Sequence, residues 1–390
     1  MMDVYLIEPS TAPRWQPFSD CRPIAELRAG IWLIRERWEA VAGGETQAIF
    51  GPEHLHGFVE EEAPPVGPTR PVDGPALIGH SAFAPSGVRP EFPKAPSRLV
   101  NDGHPVGWWV PEGSRWEPEV GFPNAQDLEI AGIPLHGAYD VVTALEHLLV
   151  ADAADFTHEG GDELPDGSIV IGDPADVVVL GAAVEPGVIF DVRAGAVVVE
   201  QQAHVYSGSR LEGPVYVGPG SLVLGGHIKN CVFGERCKVR GEMQSTVMVA
   251  YANKVHAGFV GHSVIGPWVN VGAGTITSNL KNTYGTVRIV VGGERIETER
   301  QLLGTLFGDH AKVAIGTFLD TGTVIGTGAN VFGPGRPPKH VPPFAWGFGG
   351  EVLNRDGFLA VAERVMPRRK VDFSEAVRTY LSQIYDAATR

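Results

Sequence analysis

Cysteine is scarce. Cys21, Cys231 and Cys237 are the three in 390 residues, too few for a disulfide framework or a metal quartet, which fits a reducing compartment. Positive charge is in deficit: 31 Lys and Arg against 46 Asp and Glu leave a formal charge of −15. That balance excludes a broad nucleic-acid or anionic-membrane surface. No stretch approaches the roughly 18 consecutive apolar residues of a membrane span. The opening Met1-Met2-Asp3 has no basic region and soon meets Glu8 and Pro9, unlike a secretion signal. These absences predict a soluble cytoplasmic protein with neither nucleic acid nor membrane as partner.

Glycine and proline, by contrast, are abundant, at 50 and 31 residues. Together they make about a fifth of the chain, against roughly 12% in an average protein. A hydrophobic content of 43% is too high for disorder. Many short strands joined by tight turns reconcile the two, so an internal repeat is expected.

From about residue 169 apolar residues return every sixth position. Ile171, Val177, Ala183 and Ile189 form one series, and Val199, Val205, Leu211, Val217 and Val223 a second. Phe259, Ile265, Val271 and Thr277 continue it, as do Phe307, Val313, Leu319, Ile325 and Val331. Six is neither the 3.6 of a helix nor the 8–12-residue spacing of a sandwich. It places one inward side chain on each short strand, and a frequent following Gly supplies the turn. Three such strands make a triangular coil of about 18 residues that stacks by parallel pairing. Cys231 and Cys237, six apart, then fall on successive faces, too far around for a bond.

Residues 280–304 break the period with a strand-like Thr286-Val287-Arg288-Ile289-Val290-Val291 before Gly292-Gly293, an insertion of the kind that carries function. Val377, Leu381, Ile384 and Ala388 share a helical face, with Asp372 or Ser374 as cap, and predict an end cap for the solenoid. In the first 150 residues, Val4-Tyr5-Leu6-Ile7, Ala76-Leu77-Ile78 and Leu99-Val100 read as strands. Pro23–Trp38 reads as a helix, with Ile24, Leu27, Ile31, Ile34 and Trp38 on one face, and Tyr139–Ala151 as another. Residues 60–97, acidic and then Pro-rich, read as a surface loop.

The run Asn270-Val271-Gly272-Ala273-Gly274-Thr275-Ile276-Thr277-Ser278-Asn279 resembles the acetyl-CoA site of the bifunctional glucosamine-1-phosphate acetyltransferase/UDP-N-acetylglucosamine pyrophosphorylases. The whole chain is more similar to a family of putative sugar nucleotidyltransferases with the same two-part plan. That likeness lies in Arg22-Pro23 through Leu27-Arg28-Ala29-Gly30 to Glu36-Arg37-Trp38, Asn253-Lys254-Val255-His256, Ser278-Asn279-Leu280-Lys281-Asn282 and Gly308-Asp309-His310. It runs nearly unbroken through 200–350 and patchily before. The fold it implies is a reduced nucleotidyltransferase-like α/β domain over 1–155. A left-handed parallel β-helix of hexapeptide repeats follows over 165–345, with the 280–304 insertion, and C-terminal helices occupy 355–390.

The resemblance also implies roles. His256 matches the catalytic histidine, which takes a proton so that the sugar's nitrogen attacks the acetyl thioester. Asn270 matches an asparagine that holds the amino sugar, and Asn279 one near the acetyl group, while Ala273 and Gly274 would lie along the coenzyme arm. Phe259 replaces a substrate-binding tyrosine. Gln244 stands where a lysine grips the sugar phosphate, so Lys238, Arg240, Lys254 or Lys281 would have to supply that cation. In the N-terminal part, Pro9–Arg22 has no glycine to build a phosphate-cradling loop. Arg14, Arg22 and Arg28 are the phosphate candidates there, and Asp102 is the candidate ligand for Mg2+.

The expected activity is acetyl-CoA-dependent N-acetyl transfer to an amino-sugar phosphate, alone or joined to nucleotidyl transfer. Alternatives are nucleotidyl transfer alone, a non-catalytic sugar-nucleotide sensor, or a zinc hydratase, although His256 and His262 are six apart where that family spaces two ligands by five. A homotrimer with its acyl site between subunits is the assembly the resemblance implies.

Overall fold

In the computed structural model, residues 2–10 and 12–389 are described. The N-terminal sheet has seven strands: β1 (Met2–Ile7), β2 (Gly44–Phe50), β3 (Val66–Gly67), β4 (Ala76–His80), β5 (Ser97–Asn101), β6 (His104–Val110) and β7 (Gln126–Glu129). Their order is β7-β5-β6-β4-β1-β2-β3. Central β1 pairs in parallel with β2 and β4, and β6 runs antiparallel to β4 and β5. Val4 and Leu6 are fully buried, as a central apolar strand requires.

Two expectations fail here. Pro23–Trp38 is not one helix: Ile24–Glu26 is a 3-10 turn, Arg28–Ala29 and Trp32–Leu33 form a hairpin, and α1 spans Ile34–Ala42. Gly30, at φ +69°, makes the hairpin turn. The five apolar residues are all buried, so burial produced the pattern that looked helical. Nor is 60–97 a loop throughout. It contains β3 and β4, and Gly79 of β4 lies against the indole of Trp38 from α1.

Beyond α2 (Asp140–Asp155), the chain winds into a parallel solenoid. Strands recur on three faces, exemplified by Phe259–Gly261 on the first, Val264–Ile265 on the second and Asn270–Val271 on the third. This three-sided parallel coil with a helical cap is the β-helix architecture that the resemblance implies. On the third face, Val205, Val223, Val239, Lys254, Val271, Val313 and Val331 stand one above another facing inward. The inward phase differs by one residue from the expected series at four positions. Val170, Val184 and Phe190 face the core rather than Ile171, Ala183 and Ile189, and Val260 rather than Phe259. A one-residue slip in a strand reverses every side chain.

The second face is buried from outside. Val178, Val198, Tyr216, Val232, Leu306 and Val324 join the core cluster of the N-terminal sheet, and α2 packs along them. The insertion is a hairpin, Arg288–Val291 with Glu294–Glu297, turning at Gly292-Gly293. At the corner between second and third faces, Arg236, Tyr251, Trp268, His310 and Phe344 all have positive φ. Tyr251 and Trp268 stack at 4.3 Å. Two C-terminal helices, α3 (Arg355–Val365) and α4 (Glu375–Ala388), cover this corner, with Ser374 capping Val377 N–H as expected. Cys21, Cys231 and Cys237 are buried free thiols.

Candidate active site

The turns joining third to first face stack along one edge of the prism. His256–Gly258 lies below Ala273–Gly274, which lies below Ile315–Gly316. Gly274 N–H donates to the Ala257 carbonyl at 2.9 Å, and Gly316 N–H to the Ala273 carbonyl at 2.7 Å. His256 is exposed on this edge. A Cβ on Gly258 would strike the Thr275 carbonyl, whereas Gly274, at φ +71°, has nothing within 3.8 Å of where a Cβ would project. The edge is therefore bare backbone beside an exposed imidazole.

Lys254 lies beneath it, inside the solenoid. It is fully buried, and its ammonium donates to the carbonyls of His256 and, at 3.2 Å, Ala257. The expected exposed cation is thus an internal clamp on the His256 turn, out of reach of a sugar phosphate. Burial pushes its pKa down to about 8. The unfolded chain therefore binds more protons than the folded one between about pH 8 and 10.5, and stability should rise with pH across that window. Against Lys254→Met, the wild type should gain up to about 3 kcal/mol between pH 7.5 and 10.5. Urea unfolding at the two pH values measures it; parallel stabilities would show that the ammonium is not buried.

Asn270 is half-buried on the outer third face and accepts from Asn253 Nδ2 at 2.6 Å. Asn279 sits at the far end of the first face, at the opposite edge from His256. Its Nδ2 donates to His262 Nδ1 at 2.8 Å. Burial lowers the pKa of His262, whose Nε2 lies 3.8 Å from Glu146 of α2. Within one chain, then, His256, Ala273 and Gly274 come together and Asn279 does not join them. Phe259 faces outward on the first face with Ile276 and Phe318, which are 40% and 50% exposed, and Ile315 beside them is 77% exposed. Lys281 donates to the Thr286 carbonyl within the insertion.

The N-terminal candidates are arranged differently from a phosphate site. Arg22 is 1% exposed and donates to Asp309 at 2.7 Å, to Glu60 and to the Glu26 carbonyl. Arg28 donates to the carbonyls of Val249, at 2.9 Å, and Ile31. Both guanidiniums fasten the N-terminal part to the solenoid or to itself, Arg22 through all three of its nitrogens. Arg14 is exposed and interacts with Tyr139. At the carboxyl ends of β1, β2 and β4, where ligands enter α/β sheets, Glu8 accepts from the N–H groups of Ile24 at 2.7 Å and Ala25 at 3.2 Å. Burial raises Glu8 to about 7. Trp15 and Phe18, from the segment that follows β1, are buried in the core.

Nor do the residues fit a magnesium site. Asp102 lies exposed in the β5–β6 turn at φ +48°, its N–H held by Glu129. Among the described residues no three His, Cys, Asp or Glu side chains are placed to hold a metal.

Residues 4–86 match the profile of a family described as sugar nucleotidyl transferase. The resemblance read from the sequence is borne out. The match falls on the part where that resemblance was patchy. Among relatives, the chain is 34% identical over 146 residues to a bifunctional sugar-1-phosphate nucleotidylyltransferase/acetyltransferase of Sulfurisphaera tokodaii, covering 35% of each chain. It is 26% identical over 190 residues to the bifunctional protein GlmU of Acaryochloris marina, covering 36% of this chain and 40% of the relative. With the GlmU of Methanocaldococcus jannaschii it shares 30% identity over 86 residues, 22% of this chain and 21% of that one. The chain thus spans about two-fifths or less of the length of the curated relatives it matches.

The sequence reading missed two features. Arg22 and Asp309, 287 residues apart, meet in a buried ion pair. Lys254 faces inward, which the period of six announces once it is counted from Val260 rather than Phe259.

Proposed function

We propose that this protein is a cytoplasmic transferase that moves an acetyl group from acetyl-CoA to the amine of an amino-sugar phosphate, with His256 as general base. The observation that carries the reading is the stacked edge of His256, Ala273 and Gly274, with bare backbone beside an exposed imidazole. The similarity to bifunctional acetyltransferases supports it, as does Asn270 one strand away on the adjoining face.

In the step itself the sugar nitrogen attacks the thioester carbonyl and His256 accepts its proton. As the tetrahedral intermediate collapses, the C–N bond remains, the C–S bond breaks, and the thiolate leaves to be protonated as coenzyme A. Purified protein given acetyl-CoA and glucosamine 1-phosphate should release one free thiol per amide formed. No thiol release with any amino-sugar phosphate would overturn the proposal. Nucleotidyl transfer by the N-terminal sheet is the second reading, supported by the match of residues 4–86 to the sugar nucleotidyl transferase profile.

The working assembly in this reading is a homotrimer. Ile276, Ile315 and Phe318 form an exposed apolar strip beside His256, the kind of surface that association covers. Sedimentation should give three chain masses, and Phe318→Asp should shift the protein toward single chains. A wild-type mass of one chain would contradict a shared site.

A further inference from the structure

The outer row of the third face is polar where its neighbours are apolar. Lys238, Asn253, Asn270, Lys312 and Asn330 succeed one another in register, each on an adjacent strand. Arg369 reaches this row from the turn after α3. Its Nη2 donates to Asn253 Oδ1 at 3.3 Å, while its Nε is buried with no hydrogen-bond partner. The turn is held in place by Arg236, which donates to the Arg369 carbonyl at 3.4 Å. Lys312 Nζ donates to the carbonyls of Trp268 and His310 at 2.7 and 2.8 Å, and an ammonium has a third N–H to offer.

Three basic side chains therefore lie along one row with two linked asparagines, and Arg369 touches one of them. Arg369 is close enough to act on both lysines. Burial and Arg369 lower Lys238, and burial and Arg369 lower Lys312 to about 7. Arg369 is lowered by burial and by Arg368. No carboxylate acts on any of the three among the described residues. Like charges held together without a counter-ion are unfavourable in the empty site and become favourable once a dianion enters. The buried Nε–H of Arg369 is a further donor without a partner.

We infer that Lys238, Lys312 and Arg369, with Asn253 and Asn270, form a binding site for a phosphate monoester on the third face, three residues before the His256 turn. The site answers the loss of a phosphate-gripping lysine at Gln244. The run Arg368-Arg369-Lys370, which in sequence looks like a solvated charge run, supplies one of its members. The basic side chains alone select a phosphate. Assigning it to the acceptor sugar rests on the acyl-transfer reading; the other source of the same chemistry is the 3′-phosphate of coenzyme A.

Isothermal titration of the full chain at low salt separates these sources, using glucosamine 1-phosphate, glucosamine, inorganic phosphate, coenzyme A and 3′-dephospho-coenzyme A. Glucosamine 1-phosphate should bind, inorganic phosphate should compete with it, and Arg369→Gln and Lys312→Met should each weaken it roughly tenfold or more. Binding of free glucosamine should not change. Lys238→Met, at the more open end of the row, provides a third variant should either of the others fail to fold. If the variants weaken coenzyme A but neither dephospho-coenzyme A nor the sugar phosphate, the site stands and its ligand is the coenzyme's phosphate. Variants with wild-type melting and affinities within twofold for every phosphate ligand would overturn the site. Phosphate binding with this dependence but no thiol release would keep the site and remove the acyl-transfer reading instead.

Discussion

Changing His256 to Ala should lower thiol release from acetyl-CoA by about 10²–10⁴-fold, the usual contribution of a positioned general base. The loss should lie in turnover, with affinity for coenzyme A little changed, because the proposed coenzyme contacts on this edge are backbone at Ala273 and Gly274. Folding is not expected to suffer. His256 is exposed, and the turn beneath it is held by Lys254 through main-chain carbonyls that an alanine retains. His256→Gln separates shape from proton transfer: it fills similar space and hydrogen-bonds, but does not act as a base at neutral pH. Both variants should therefore be slow. Wild-type rates in either would remove the imidazole from the mechanism while leaving the fold untouched.

The second large effect concerns stability. Arg22→Met should destabilise the protein by about 3–5 kcal/mol at pH 8, the range for breaking a buried ion pair from one side. It strands Asp309, 2% exposed, whose Oδ1 already has no hydrogen-bond partner, and it frees Glu60. Burial raises the Asp309 pKa to about 6 even with Arg22 beside it, and removing the guanidinium pushes it higher. A carboxyl raised above its unfolded value favours the folded state most at low pH and loses that contribution as pH rises through the folded pKa. The cost of Arg22→Met should accordingly be smaller at pH 5, where Asp309 takes up a proton, than at pH 8. Urea unfolding at both values tests this. Equal stability of variant and wild type at pH 8 would mean the pair does not fasten the N-terminal part to the solenoid. Asp309→Asn in the Arg22→Met background should restore part of the loss, because it replaces the stranded charge with a neutral amide.

Much of this molecule was legible because the solenoid's local rule repeats. A period of six with following glycines defines a three-sided coil wherever strands are short, and the 280–304 hairpin and the capping helix at 375–388 appear as departures from it. Phase was harder to read than period. In stretches where adjacent residues are both apolar, such as Phe259-Val260 and Ile189-Phe190, spacing alone does not say which one faces the core, and Lys254 was placed on the wrong side for that reason. Pro23–Trp38 misled differently: its five apolar residues are buried in a 3-10 turn, a hairpin and the start of α1, and the one conspicuous sign of the break is Gly30. Along the candidate edge, His256, Ala273 and Gly274 stand on one column because equivalent corners of successive coils stack. The Arg22–Asp309 pair and the approach of Arg369 to Asn253 are products of tertiary packing across more than a hundred residues. No local pattern in the sequence encodes them.

The most direct test is to locate coenzyme A in an experimental structure of the protein soaked with it. The acyl-transfer reading expects the pantetheine arm along the edge formed by Ala257, Ala273 and Gly316, with its sulfur within reach of His256 at a junction between chains. Coenzyme A bound elsewhere, for example in the cavity of ≈ 270 Å³ between Phe58, Trp268 and Tyr380, with the His256 edge left in open solvent, would contradict it.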